Sequence, residues 1–364
     1  MLTINQKLSA ADADSFALTL LTSEHAVCFD IETTGFSAAS TQVYLIGCIT
    51  YDGTAFQVVQ WLSENASDEP QLLDSFFKYI ADYKTLIHYN GEGFDMPYLL
   101  KRCRHYQLPH NFTAFRSIDL YKLLVPYKAL LSLDNLKQKT LEQFLGLVRE
   151  DVFQGGELIS VYFEYAKTSS NTLREQLLLH NRDDLYGMTH ILCVYAYYEL
   201  FHGAVRNVSY RLNTYSSASG KQKEEIIFTF QPVYAVPKEF SCRREAYYLT
   251  CSGNIGKLSV QIYENELKYF FPNYKDYYYL PVEDISIHKS VALYVDKDFR
   301  TQATAANCYN KKSGIFLPQQ SDIVKPFFKQ NYKDKHTYFE MTDEFLNDSE
   351  KMLLYVKHIL TVLK

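Results

Sequence analysis

An apolar stretch interrupted by two acids, Ala26-Val27-Cys28-Phe29-Asp30-Ile31-Glu32-Thr33-Thr34-Gly35, constrains this chain more than any other segment. Its apolar residues predict a buried strand, and residues two apart on a strand project to one face. Asp30 and Glu32 therefore point together, with Ile31 on the opposite side. Two bare carboxylates on a buried face repel each other and lose hydration, a cost that a cation between them removes. The pair asks for a metal and for further oxygen ligands from elsewhere in the chain.

Two later acids are candidates. Asp95 follows the apolar strand Leu86-Ile87 and the turn Asn90-Gly91-Glu92-Gly93-Phe94, and precedes a helical pattern through Tyr98, Leu99 and Leu100. That is a strand-to-helix junction, where a side chain reaches the open end of a sheet; the bland alternative is a helix cap. Asp184 lies in a long apolar-periodic helix predicted from about 173 to about 200. His180, four residues before it, shares its face. Asp183 is the alternative ligand in a shifted register.

The segments FDIETTG, NGEGFD and HNRDD, in this order, resemble the three exonuclease motifs of the DEDD superfamily of ribonuclease H-like folds. Within it the chain is most similar to the YprB-like ribonuclease H-like domain family, whose intervening pattern matches Ser117-Ile118-Asp119-Leu120, Leu133 to Leu136 leading to Leu145-Gly146-Leu147, and Gly155-Gly156-Glu157-Leu158. The resemblance covers roughly residues 24 to 200. It implies a metal-dependent 3′–5′ exonuclease that hydrolyses phosphodiester bonds of DNA or RNA. Asp30, Glu32, Asp95 and Asp184 would carry two divalent cations, Mg²⁺ or Mn²⁺, which prefer hard oxygen ligands. In such sites the ions stand roughly 3.5–4 Å apart, one activating water and the other stabilising the leaving oxygen.

One position departs from the better-known subfamilies, which carry Tyr four residues before the last Asp or His five residues before it. Here His180 stands four before Asp184, and Leu179 five before. A histidine in the tyrosine register can orient or deprotonate the attacking water, or serve only as a hydrogen-bonded partner of the acids. A non-catalytic nucleic-acid-binding or interaction protein with a degenerate site is the alternative function. Candidate substrate contacts are Thr33, Thr34, Asn90 and Phe94, with Tyr89, Arg116 and Arg182 behind them. Asp119 is either a support for the site or an ordinary cap.

The expected fold class is α/β: a ribonuclease H-like mixed sheet flanked by helices over residues 1–204, then a smaller β-rich domain over 205–364. Strands are predicted at 26–33, 42–50, 54–61 and 85–89. Helices are predicted near 70–81, 95–105, 119–126, 134–145, 158–167 and 172–200. Beyond 204, short strands (226–235, 245–251, 257–263, 267–271, 276–280) lead to a helix near 343–363, and Ser216 to Lys223 reads as a mobile polar loop. Of the formal charge of −5, the first 204 residues carry −9 and the remainder +4. The basic half interleaves Tyr and Phe with Lys at 274–279 and 325–333. That pattern suits single strands, which stack on aromatics in a cationic groove, although aromatics also simply favour strands; that the strands present 3′ ends is what the resemblance implies. A protein partner for this half is the competing expectation. Seven scattered cysteines without a CxxC pair fit a reducing cytoplasm rather than zinc or a disulfide framework. No apolar run is long enough to span a bilayer.

Overall fold

The apolar segments of the first half line up in a single six-stranded sheet. The computed structural model describes residues 1–149, 155–216, 220 and 222–364, and the chain divides into one unit of Met1–Tyr198 and another of Glu199–Lys364. In the first unit β1 (Leu2–Ser9), β2 (Ala26–Thr33), β3 (Val43–Tyr51), β4 (Ala55–Leu62), β5 (Thr85–His88) and β6 (Arg116–Asp119) pair in the order β1-β4-β3-β2-β5-β6. The pairs from β1 to β2 are antiparallel, whereas β2–β5 and β5–β6 are parallel. The β3–β4 turn is Asp52-Gly53, where Asp52 Oδ1 accepts the N–H groups of Thr54 (2.8 Å) and Ala55 (2.9 Å).

Helices cover both faces: α1 (Ser15–Ser23), α2 (Glu69–Ile80), α3 (Asp95–His105), α4 (Leu120–Leu124), α5 (Gln138–Leu145), α6 (Gly155–Thr168), α7 (Asn171–Ile191) and α8 (Tyr195–Phe201). Val27, Phe29 and Ile31 of β2 pack with Leu72 and Phe76 of α2 and Tyr98 and Leu99 of α3. Tyr44, Leu45 and Leu62 pack with Leu158 and Tyr162 of α6 and Leu177 and Leu178 of α7. Each such side chain, fully buried, contributes roughly 1.5–3 kcal/mol.

Several boundaries differ from expectation. The helix expected over 119–126 begins one residue later, because Asp119 ends β6 and caps α4 through the N–H groups of Tyr121 and Lys122. The helix expected over 172–200 is interrupted by a tighter 3₁₀ turn at Leu192–Val194. Just before that turn, Thr189 Oγ1 donates to Tyr186 O at 2.7 Å and the His190 ring lies 3.0 Å from the same oxygen, so side chains compete for a carbonyl of the helical ladder. The first strand and α1 went unread, β1 because its polar alternation suits an edge.

The second unit is built on antiparallel pairs. β7 (Val205–Ser216), β8 (Gln222–Pro232), β9 (Val236–Arg244), β10 (Tyr247–Gly253) and β11 (Ile255–Gln261) form a sheet in the order β7-β8-β11-β10-β9. β12 (Tyr263–Phe270), β13 (Tyr277–Leu280), β14 (Ile285–His288), β15 (Thr301–Gln302), β16 (Tyr309–Gln319), β17 (Phe327–Phe328) and β18 (Thr337–Glu340) make two smaller sheets, β12-β16-β18-β17 and β14-β13-β15. After α9 (Lys289–Ala292), the expected terminal helix is two, α10 (Asp343–Leu346) and α11 (Ser349–Leu363), separated where Asp348 caps the second. Of the loop expected at 216–223, Ser216, Gln222 and Lys223 belong to strands; residues 217–219 and 221 lie outside the described residues. Of the aromatic segments, Phe328 is buried, and Tyr277, Tyr278, Tyr279 and Phe327 are half-buried. Tyr277 stacks on Phe271 at 4.4 Å, and buried Phe328 packs on Phe316 and Tyr269, while Tyr274 and Tyr332 stay exposed. No helix among the described residues is long and apolar enough to cross a membrane.

Candidate metal centre and active site

Asp30 and Glu32 leave β2 toward α7, opposite the core side taken by Phe29 and Ile31. The β2–β3 register shifts between Glu32 and Thr33, a bulge of the kind that re-aims side chains beside active sites. Across the ladder from Asp30 stands Gly47. A Cβ there would lie 2.0 Å from Asn181 Oδ1 and 2.6 Å from Leu185 Cδ1, so glycine is what lets α7 seat directly on β3. The seated helix brings Asn181 to the site, where its Nδ2 donates to Asp30 Oδ2 at 3.0 Å. Gln60 Nε2 donates to Asn181 Oδ1 at 2.8 Å and to Leu178 O at 3.0 Å, fixing the amide.

Asp95 begins α3 and is buried. The turn that delivers it is held from β6. Asp119 accepts the N–H groups of Asn90 (3.0 Å) and Glu92 (3.2 Å) as well as those of its own helix, so its two expected roles, cap and support, coincide. His88 Nδ1 accepts from Gly91 N–H at 3.1 Å, which assigns the proton to Nε2; that atom faces Ser117 Oγ at 2.9 Å. Ser117 in turn donates to Glu92 Oε1 at 2.6 Å. Burial holds the His88 imidazole below its ordinary value, in keeping with a neutral ring.

Asp30 feels the other three acids. Burial pushes the Asp30 carboxyl well above the usual carboxylate range, and the charges of Asp184, Glu32 and Asp95 push it further, against the Asn181 amide. Burial also raises Asp95 to about 7, despite the backbone N–H groups of Asp95 and Ile31. His180, buried on α7, presents Nε2 at 3.4 Å from Glu32 Oε1 and 3.3 Å from Asp184 Oδ2. Ligand atoms of Glu32, His180 and Asp184 lie within 4.8 Å of one another, close enough for a common ion. This donor set of hard carboxylate oxygens, gathered where Asp184, Glu32 and Asp95 raise the proton affinity of Asp30, fits divalent cations such as Mg²⁺ or Mn²⁺.

Other expected contacts divide. The Thr33 hydroxyl donates to Gly35 O at 2.9 Å, and Thr34 Oγ1 accepts from Gln42 N–H at 3.0 Å, so both hydroxyls hold their own turn. Asn90 is exposed in the left-handed region (φ 59°) at the turn. Phe94 meets Phe36 edge-on at 6.2 Å, and Phe36 itself is 91% exposed. Tyr89 Oη donates to Leu136 O at 2.5 Å. Arg116 lies at the start of β6, the end remote from the Asp95 turn, paired with Glu24 at 2.5 Å; that placement does not suit a phosphate contact at the acids. Arg182 and Asp183 line a cavity of about 410 Å³ together with Leu147, Val148, Arg149 and Tyr186.

Sequence reasoning missed Asn181, Gln60, Phe36 and the pair Glu142–Arg149. The guanidinium of Arg149 reaches Asp184 Oδ1 at 2.5 Å through Nη1, and holds Glu142 through Nε and, at 2.6 Å, Nη2. The only advance signal for Phe36 and Asn181 was their adjacency to motif residues. Arg149 and Gln60 arrive by tertiary packing alone.

Residues 27–195 match the family model RNase_H_2, described as RNase_H superfamily, in keeping with the ribonuclease H-like mixed sheet of the first unit. No curated protein matches the chain. Among solved structures it is similar to the family B DNA polymerase of the hyperthermophilic archaeon Pyrobaculum calidifontis. Identity is 17% and the TM-score 0.39, over 47% of this chain and 24% of the polymerase, so the chain spans about a quarter of that protein's length.

Proposed function

We propose that this chain is a metal-dependent 3′–5′ exonuclease acting on single-stranded ends of DNA or RNA. The observation that carries the reading is the cluster of Glu32, His180 and Asp184, whose ligand atoms lie within 4.8 Å of one another, beside half-buried Asp30, which the charges of Asp184, Glu32 and Asp95 push upward. Divalent cations held there would offset the charge that gathers on the attacking and leaving oxygens of an in-line displacement. The chain's own residues supply the rest. Asn181 holds Asp30 in one rotamer, and the Asp119 turn fixes Asp95. His180 Nε2, set between Glu32 and Asp184, is placed to orient water or take its proton. Phe36 and Phe94 offer aromatic surface to a terminal base.

The second reading, a nucleic-acid-binding protein with a degenerate site, is favoured by one observation, the Arg149 guanidinium on Asp184. End-labelled oligonucleotides separate the two. With Mg²⁺ or Mn²⁺ the wild type should release nucleoside monophosphates, EDTA should stop it, and Asp30→Asn should abolish it. His180→Ala should slow turnover by roughly 10²–10⁴-fold if the ring is the general base. Binding without cleavage under all metal conditions would favour the second reading.

A further inference from the structure

Arg149 is costly to bury, and its environment is built around it. Its side chain is 9% exposed, and Glu142, which it grips along one edge, is 1% exposed. Buried ion pairs of this kind lose more to desolvation than an apolar pair of the same size, so packing alone does not call for one. Gln138 Nε2 fixes the arrangement by donating to Glu142 Oε1 at 2.9 Å and to Asp184 O at 2.8 Å. Gly187 makes room for it, since a Cβ there would lie 2.1 Å from Glu142 Oε1. With Nε and Nη2 committed to Glu142, the remaining edge of the guanidinium faces the acid cluster. Nη1 is buried and stands 2.5 Å from Asp184 Oδ1, off the line of a good hydrogen bond, and among the described residues no acceptor lies on its N–H directions. The cavity lined by Leu147, Val148, Arg149, Arg182, Asp183 and Tyr186 opens beside it, with about 410 Å³ of space.

We propose that Arg149 forms a phosphoryl-oxygen subsite, in which Nη1 donates to a non-bridging oxygen of the substrate's terminal phosphodiester while Glu142 holds the guanidinium in place. The proposal rests on the exonuclease reading and deepens it. A planar, permanently charged fork suits phosphate, and Asp184 Oδ1 occupies in the free protein the place that the phosphate oxygen takes in the complex. Glu142 is thus a positioning residue, and Arg149 touches substrate.

The test compares wild type with Arg149→Gln, and with the Arg149→Gln/Glu142→Gln double variant, which leaves no unpaired buried charge if the single variant folds poorly. Turnover of a labelled oligonucleotide with Mn²⁺ should fall about 10²–10³-fold, the usual loss for one transition-state donor. Calorimetry with a nucleoside 5′-monophosphate and Ca²⁺ should show at least tenfold weaker nucleotide binding in the variants, and Mn²⁺ affinity within about threefold of wild type. Arg149→Lys should recover part of the loss. Unchanged turnover and nucleotide affinity would overturn the subsite, and so would markedly tighter Mn²⁺ binding with retained turnover, which would make Arg149 a mere surrogate for the ion. A wild type that neither binds Mn²⁺ nor cleaves would instead sink the exonuclease reading, and the subsite with it.

Discussion

At the scale of single residues, the site spends stability. Asp95 takes up its proton at about 7, against an ordinary carboxyl value of 3.8. In the window between, the folded state binds more protons than the unfolded one, so this group's contribution to stability is fullest at low pH and is lost as pH rises toward 7. The slope for one group is about 1.4 kcal/mol per pH unit inside that window. Metal-free protein in EDTA should therefore melt at progressively lower temperature, relative to Asp95→Asn, as pH is raised from about 4 to 7. Parallel melting curves for the two proteins across that range would show that Asp95 carries no such penalty. The same scale shows what could be read in advance. Strand alternation alone put Asp30 and Glu32 on one side and Ile31 on the other, and the helical four-residue step put His180 over Asp184. Nothing local marks Gln60 or Arg149, because their relevance depends on which strand or loop α7 meets. The threonines after the acid pair read equally well as contacts or as turn residues; their hydroxyl partners, Gly35 O and Gln42 N–H, place them in the turn.

At the scale of elements, the site depends on how closely α7 approaches its neighbours. Gly47 admits it to β3, and Gly187 admits the Glu142 carboxylate of α5 to its outer side. Gly187→Ala should cost about 1–3 kcal/mol, the usual penalty for overpacking, and should disturb Glu142 and with it Arg149. A thermal melt that left the midpoint unmoved would show that α5 gives way freely at this contact. Strands and helices with strong periodicity, β2 to β5 and α2 and α3, were legible because their buried faces are continuous. Three of the strands missed are of other kinds. β1 buries one side only, β6 is four residues long, and β7 is an edge strand with most of its side chains in water. The break between α7 and α8 follows from side chains near Tyr186 O, which the apolar period does not encode.

At the scale of the whole molecule, the chain joins a ribonuclease H-like unit of net negative charge to a β-rich unit of net positive charge. The negative balance of the first includes Asp30, Glu32 and Asp184, gathered against Asn181, His180 and Arg149, and it is this cluster that the functional reading stands on. Of the tyrosines and phenylalanines of 274–279 and 325–333, Phe328 is buried and the others are half-buried or exposed, as strands that bury one face leave them. Calorimetric titration of Mn²⁺ into metal-stripped wild type and Asp184→Asn tests the central claim most directly. The account predicts saturable binding of two ions by the wild type and loss of at least one by the variant. Absence of Mn²⁺ binding by folded wild type, or identical isotherms for the two proteins, would contradict it.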